Sequence, residues 1–190
     1  MKKIPIETSA RHCHLSRKHI DILFGNGYQL TSIKELSQKG QFLAKERVDI
    51  EVNGISFKNV AILFPERENT QVEISLTDSR YLKINAPINL SGNLNEAQDC
   101  YISYNTKKVL AKGSLIIAQR HLHCDIETAR ELKLINNDII SIQTDSIRSV
   151  IFNNVIIRID KSFTLALHID TDESNACNNA KSGYLIKESF

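Results

Sequence analysis

A short pattern, Arg-His-x-His, occurs twice in this chain of 190 residues and limits the fold it can adopt more than any other feature. The two copies lie at residues 11–14 and 120–123. Because side chains two positions apart in a strand point to the same face, each copy directs two imidazoles at one point, beside an arginine. Together the copies hold four of the six histidines in the chain. Neutral imidazole is a common zinc ligand, so each pair is interpreted as half of a metal site.

The composition is typical of a globular protein without a strongly charged partner. Hydrophobic residues make up 42% of the chain and charged residues 24%, and the net charge of +2 argues against nucleic acid and membrane surfaces as partners. No apolar run approaches the roughly 20 residues that a membrane-spanning helix needs. The short, polar start does not match a signal peptide, so a cytoplasmic location is expected. The four cysteines show no Cys-x-x-Cys spacing, so neither a zinc ribbon nor a redox motif is indicated.

Hydrophobic periodicity and turn signals predict a mainly β protein with short helices. Four helices are predicted. The first has Ser16 as its N-cap and ends at Gly25, and the second covers residues 31–37. The third begins at Asp78 with Thr77 as its N-cap, and the fourth follows the N-cap Asp125. Asn53-Gly54 predicts a two-residue hairpin turn. The predicted strands cover residues 4–15, 47–52, 57–64, 70–75, 100–104, 108–118, 139–144, 149–159 and 163–169.

The two halves of the chain align beyond the histidine pairs. Residues 57–60 (Phe-Lys-Asn-Val) resemble residues 152–155 (Phe-Asn-Asn-Val), an offset of 95 positions. At the same offset, Glu73 falls on His168, and both residue types bind zinc. The inferred ligand sets are His12, His14 and Glu73, and His121, His123 and His168. Three protein ligands leave a coordination position open, as a catalytic zinc ion requires.

This duplication predicts two similar small β-barrel lobes, since closing each sheet hides its edges. Residues 85–98 contain proline, glycine and several asparagines, which is typical of a lobe boundary. The lobes are therefore placed at residues 1–90 and 91–190, an arrangement that allows strands to be exchanged between them. If the two metal sites meet at a lobe interface, they would share one substrate.

Three arginines are candidates for binding an anion. Arg67 lies six residues before Glu73, and Arg11 and Arg120 flank the histidine pairs. A planar guanidinium suits bidentate contact with phosphate, although an isolated arginine is more often a surface charge or part of an ion pair. The chain has no Walker-type phosphate loop and no Gly-x-Ser-x-Gly nucleophile elbow, so those routes to hydrolysis are not indicated.

At these residues the sequence resembles a known family, the microcompartment-type phosphate propanoyltransferases, which are the phosphotransacylases of propanediol utilisation. The matching stretches span nearly the whole chain, in order. They are SARHCHLS (9–16), LSQKGQF (36–42), TQVEIS (70–75), AQRHLH (118–123) and HIDTDESNA (168–176).

The resemblance implies a two-barrel enzyme, dimeric or larger, with two zinc ions per chain and with coenzyme A and phosphate as substrates. It implies the same two ligand sets that the duplication predicts. By the family pattern Arg67 contacts phosphate, and four further residues line the coenzyme A and active-site region: Ser9, Ala10, Arg11 and Arg120. The chain departs from the pattern at Phe64 and Glu66, where members carry glycine and leucine, and at Ala61, where a basic residue is common.

The expected reaction converts a short-chain acyl-CoA, either propanoyl-CoA or acetyl-CoA, and phosphate to acyl phosphate and coenzyme A. Family members sent to microcompartments often carry an N-terminal extension, and only eight residues precede Ser9 here, which favours a cytosolic enzyme or recruitment by another route. The resemblance separately implies a homodimer. One alternative is a dizinc hydrolase of thioesters or phosphoesters. The other is a metal-stabilised β-barrel that binds a partner without turnover.

Overall fold

The computed structural model describes residues 2–186 and shows a mainly β protein with four short helices. The chain forms two compact units. One unit is residues 11–118, and the other combines the residues up to position 10 with those from position 119 onward. No helix within residues 2–186 has both the length and the apolar character needed to cross a membrane.

The elements alternate between strands and short helices along the chain. The strands are β1 (Lys3–Ser9), β2 (His12–His14), β3 (Ser32–Glu35), β4 (Phe42–Val52), β5 (Ile55–Phe64), β6 (Gln71–Ile74), β7 (Ile88–Asn89), β8 (Gln98–Tyr104), β9 (Lys107–Ala118), β10 (His121–Cys124), β11 (Ile139–Thr144), β12 (Ile151–Ile159), β13 (Ala166–Asp170) and β14 (Ser182–Ile186). The helices are α1 (Arg17–Phe24), α2 (Leu76–Tyr81), α3 (Ile126–Leu132) and α4 (Thr171–Ala176).

Six strands of the unit formed by residues 11–118 close into a barrel. Strand β2 lies between β5 and β6, β6 continues to β9, and β8 joins β9 back to β4, which pairs with β5. Strands β3 and β7 extend this sheet from β4 and β9. Closure leaves the six strands without a free edge, and their inward side chains form one apolar core.

The other unit contains a second closed barrel of six strands, in the order β1-β13-β10-β12-β11-β14. It has its own apolar core, which includes Ile4, Leu122 and Leu167. The two barrels repeat the same pairings, because the strand that carries each histidine pair lies between a parallel and an antiparallel neighbour in both. Asn59 and Asn154, which are 95 positions apart, both adopt left-handed backbone conformations, with φ of 57° and 56°. The prediction of two similar barrels is confirmed.

The compact units follow a different division of the chain from the proposed lobes at residues 1–90 and 91–190. Strand β1 leads into the first histidine pair but belongs to the second barrel. Strand β9 leads into the second histidine pair but belongs to the first barrel. The single strand predicted over residues 4–15 is therefore two strands, because the chain passes from one unit to the other between Ala10 and Arg11.

Two helix predictions differ from the structure. Residues 31–37 do not form a helix, since β3 occupies Ser32–Glu35 and pairs with β4. All four residues of β3 are exposed, so a helix here would have had no buried face, and backbone pairing with β4 prevails. Helix α2 begins earlier than predicted because Ser75, rather than Thr77, is its N-cap. Ser75 and Asp78 form a reciprocal capping box, which fixes that start.

The other local signals are confirmed. Ser16 caps α1 and Gly25 ends it, while Asp125 caps α3. Asn53 and Gly54 join β4 to β5 with φ of 52° and 75°, the positive values that a type I′ hairpin turn requires.

Gly183 provides a test of the second barrel. A Cβ at this position would lie 2.6 Å from the backbone oxygen of Gln143 and 2.9 Å from a methyl group of Ile142, where β14 pairs with β11. We expect Gly183→Ala to lower the free energy of unfolding by about 1–3 kcal/mol, because a backbone strand has to shift to remove the clash. Urea denaturation measures this change. The exposed control Lys181→Ala should stay within about 0.5 kcal/mol of wild type, and an equally stable Gly183→Ala would contradict this packing.

Candidate functional site

The first predicted ligand set is assembled in the first barrel. His12 and His14 lie on β2, and Glu73 lies on β6 directly opposite His12. The three residues are only 7%, 3% and 6% exposed, and one ligand atom from each lies within 4.8 Å of the others. His12 Nε2 and Glu73 Oε2 are 3.7 Å apart. That separation is too long for a hydrogen bond and close to the roughly 3.3 Å between two ligands of a tetrahedral zinc ion.

The protonation states of this set suit a metal. Burial, together with the neighbouring His12 and Arg67, holds the pKa of His14 well below its usual value, so the imidazole is neutral at pH 7. Burial alone would raise the pKa of Glu73, but contacts with His12 and His14 hold it well below its usual value, so the carboxylate is ionised. Neutral imidazole and ionised carboxylate are the forms that bind metal ions.

The orientation of His14 also suits a metal ligand. Its ring hydrogen-bonds the backbone of Leu63, while its Nδ1 is buried and has no hydrogen-bond partner within the described structure. A metal-binding histidine usually donates one ring N–H to a carbonyl and offers the other nitrogen to the metal. A buried polar atom without a partner is costly, so a ligand at Nδ1 would remove that cost.

The second predicted set forms a cluster of rings in the second barrel. His121 on β10 lies opposite His168 on β13. The ring centroids are 4.6 Å apart for His121–His123 and His123–His168, and 5.2 Å apart for His121–His168. His121 Nδ1 donates to the Gln119 carbonyl at 2.9 Å, which leaves Nε2 to accept a metal. Among residues 2–186, only the first set brings one ligand atom from each of three residues within 4.8 Å of one another. The ligand atoms of the second set are therefore spaced more widely.

Two neighbours of the second cluster were not predicted from the sequence. Phe163 stacks on His123, with ring centroids 4.0 Å apart. Glu7 on β1 lies opposite His168, and its Oε2 is 3.8 Å from His168 Nε2. Glu7 lies two positions from Ser9 on the same strand, and this spacing is the signal that could have identified it.

The arginine of the first motif is held by an ion pair. Arg11 donates from Nε and Nη2 to the two carboxylate oxygens of Asp78, at 3.0 and 2.6 Å. Its guanidinium carbon lies 4.0 Å from the centre of the Phe57 ring. Asp78 is the third residue of α2, the helix that directly follows the Glu73 strand. Arg11 therefore fixes the position of α2 relative to the histidine strand.

Arg120 repeats this arrangement in the second barrel. It donates to Glu173 Oε1 at 2.6 Å and to the Asn153 carbonyl at 2.6 Å, and its guanidinium carbon lies 5.7 Å from the Phe152 ring. Glu173 is the third residue of α4, which follows the His168 strand. Asp78 and Glu173, like Phe57 and Phe152, are 95 positions apart. The arginine, acid and phenylalanine are therefore a duplicated unit, named here the arginine latch.

The remaining predicted site residues lie at different places. Arg67 is in the unit of the first ligand set, close enough to His14 to lower its pKa, and its Nη1 donates to Ser91 Oγ at 2.9 Å. Ser9 ends β1 in the other unit, half-buried opposite Asp170, and Ala10 is exposed beside it. Ser91 was not predicted, since it falls in the stretch interpreted as a linker.

The cysteines do not offer a reactive thiolate. All four are free and buried. Burial raises the pKa of Cys13 far above its ordinary value and raises those of Cys100 and Cys124 to about 11. At neutral pH these thiols are protonated and weakly nucleophilic.

Comparisons with known proteins agree on one family. The family model described as phosphate propanoyltransferase matches residues 5–180. A phosphate propanoyltransferase of Enterococcus faecalis is 44% identical over 184 residues, which is 96% of this chain and 87% of the relative. The enzyme of the same name from Clostridioides difficile is 43% identical over 178 residues, or 94% and 85% of the two chains. That of Thermotoga maritima is 40% identical over 174 residues, or 91% and 83%.

Removing the first arginine latch should destabilise the first barrel. Arg11→Met leaves the carboxylate of Asp78, a residue only 5% exposed, without its bidentate partner, so we expect the free energy of unfolding to fall by about 1–3 kcal/mol. Urea denaturation measures the loss, and exposed Arg148→Met is the control. In Asp78→Asn protein the same arginine change should cost clearly less. Additive effects of the two changes would show that the pair is not coupled.

Proposed function

The chain belongs to the phosphate propanoyltransferase family, and on this premise we propose that it reversibly converts propanoyl-CoA or acetyl-CoA and phosphate to acyl phosphate and coenzyme A. The observation that carries the proposal is the buried set of His12, His14 and Glu73 beside Arg67. A thioester hydrolase or a metal-stabilised binding module would not need an arginine that binds phosphate at that position.

We propose that each chain holds two zinc ions. The first would be bound by His12, His14 and Glu73, whose burial, spacing and protonation states suit it. The second would be bound by His121, His123 and His168. A bound zinc ion supplies Lewis-acid stabilisation of the leaving thiolate and of the negative charge that develops on the carbonyl oxygen.

In this proposal Arg67 binds and orients phosphate. Arg67 is half-buried, and its Nη1 donates to Ser91 Oγ, which holds in place a planar guanidinium of the kind that suits bidentate contact with phosphate. A phosphate oxygen attacks the thioester carbonyl carbon, the new C–O bond forms, and the C–S bond breaks with the electron pair leaving on the coenzyme A sulfur. Orientation of the two reactants is the main contribution of the protein to this step.

Direct transfer is favoured over a covalent acyl-enzyme, since the four cysteine thiols are buried and three of them have raised pKa values. Ser9 and Ala10 are proposed to contact coenzyme A. Arg11 and Arg120, which the family pattern places near coenzyme A, are proposed to act chiefly through the arginine latches. The homodimer stays a prediction.

A phosphate-dependent assay tests the proposed reaction. Zinc-loaded protein should release coenzyme A from propanoyl-CoA or acetyl-CoA only when phosphate is present, with one acyl phosphate formed for each coenzyme A. Thiol release and hydroxamate formation measure the two products. The two substrates differ by one methylene, worth about 1–3 kcal/mol, so comparing them establishes the chain-length preference. Release without phosphate would favour the dizinc hydrolase, and bound zinc without turnover would favour the binding module.

Ligand variants test the two metal sites separately. Glu73→Ala and His121→Ala should each lose one of two zinc equivalents and abolish transfer, because each removes one of three ligands. Metal analysis after gel filtration gives the zinc content. His19 is the matched control, being the one histidine outside both sets, half-buried and bonded to Thr70 Oγ1. His19→Ala should retain both equivalents. Wild-type zinc content and rate in Glu73→Ala or His121→Ala would remove that site from the mechanism.

A further inference from the structure

A buried glutamine lies between two residues of the proposed mechanism. Gln71 is on β6, two positions before Glu73 and opposite His14, and it is only 1% exposed. Its Nε2 donates to Glu73 Oε1 at 2.5 Å and to Ser91 Oγ at 2.9 Å. Its Oε1 accepts from the backbone N–H of Gly92 at 2.8 Å. The Gln71 amide therefore holds both the Glu73 carboxylate and the loop that contains Ser91 and Gly92.

Ser91 connects this amide to the phosphate-binding arginine. Its hydroxyl accepts from Arg67 Nη1 at 2.9 Å and from Gln71 Nε2. The Ser91 side chain also helps to lower the pKa of Glu73. A serine hydroxyl has two lone pairs, and the two accepted bonds use both of them. Arg67 and Glu73 are therefore connected through Ser91 and Gln71.

We propose that Gln71, acting with Ser91, is a positioning residue that sets the carboxylate of Glu73 toward the metal and the guanidinium of Arg67 toward phosphate. The inference rests on the proposed function for the roles of Arg67 and Glu73. One Glu73 oxygen is held by Gln71, while the other is the oxygen that lies 3.7 Å from His12 Nε2. Fixing the first oxygen directs the second to the histidines, as outer partners of metal ligands commonly do.

The same contacts restrict Arg67. An arginine side chain has many rotamers, and binding a small anion requires one of them. Ser91 occupies one donor, and its backbone loop is in turn held by Gln71 through Gly92. Loss of the amide should therefore weaken phosphate binding while Ser9 and Ala10, the proposed contacts for coenzyme A, stay in place.

Gln71→Met tests this role because it keeps the length and apolar volume of the side chain and removes its hydrogen bonds. Loss of a hydrogen bond to a charged group weakens a binding constant by a factor of about ten or more. We expect the phosphate KM to rise about tenfold and one zinc equivalent to be released to a chelator at an about tenfold lower concentration, while the acyl-CoA KM stays within about twofold of wild type. Exposed Gln29→Met is the matched control.

Ser91→Ala and Ser91→Thr supply the test if Gln71→Met does not fold. The alanine variant should raise the phosphate KM, and the threonine variant, which keeps the hydroxyl, should restore most of it. A lower rate and melting temperature with unchanged phosphate KM and unchanged zinc release would show a merely structural role and overturn the inference. If the wild-type protein shows no phosphate-dependent transfer, the proposed function fails, and zinc release from Gln71→Met still decides whether the amide positions Glu73.

Discussion

Backbone pairing around one very short strand is the constraint on which the first site depends. Strand β2 has three residues, and it lies between β5 on one side and β6 on the other. A slip of one residue in either pairing would turn both histidines to the opposite face. Barrel closure prevents such a slip, because every strand of the ring is fixed by two neighbours. Register therefore brings Glu73, which is distant in sequence, directly opposite His12.

The charges of the first site are stabilised by its surroundings rather than by solvent. Glu73 is buried, yet its carboxylate is ionised because His12, His14 and Ser91 all contact or face it. His14 is buried beside Arg67 and is neutral for that reason. Burial keeps His14 neutral, whereas at Glu73 the contacts with the histidines outweigh burial, so one neutral and one anionic ligand lie a few ångströms apart. This pairing suits a divalent cation and disfavours a proton at the same position.

The duplication extends to side chains that do not belong to either ligand set. Both barrels keep the arginine latch, with an acid from the helix that follows the third-ligand strand. The barrels differ in the third residue of each ligand set, which is Glu73 in the first and His168 in the second. The second barrel also has Glu7 beside His168. The barrel and its arginine latch are therefore repeated, while the third residue of the ligand set differs between the two copies.

The sequence alone determined the mainly β class, the two similar barrels, most strands, three of the four helices and the family, because these depend on periodicity, caps and motifs that are local in the chain. It also predicted the ligand sets, since the 95-residue offset aligns Glu73 with His168. Only the tertiary structure showed that β1 and β9 each belong to a different barrel from the histidine pair that follows them in the chain. It also showed that residues 32–35 pair as a strand, and that Gln71 and Ser91 join Arg67 to Glu73. Those features depend on hydrogen bonds between distant residues, and no local pattern in the chain specifies which distant partner a strand or an amide will meet.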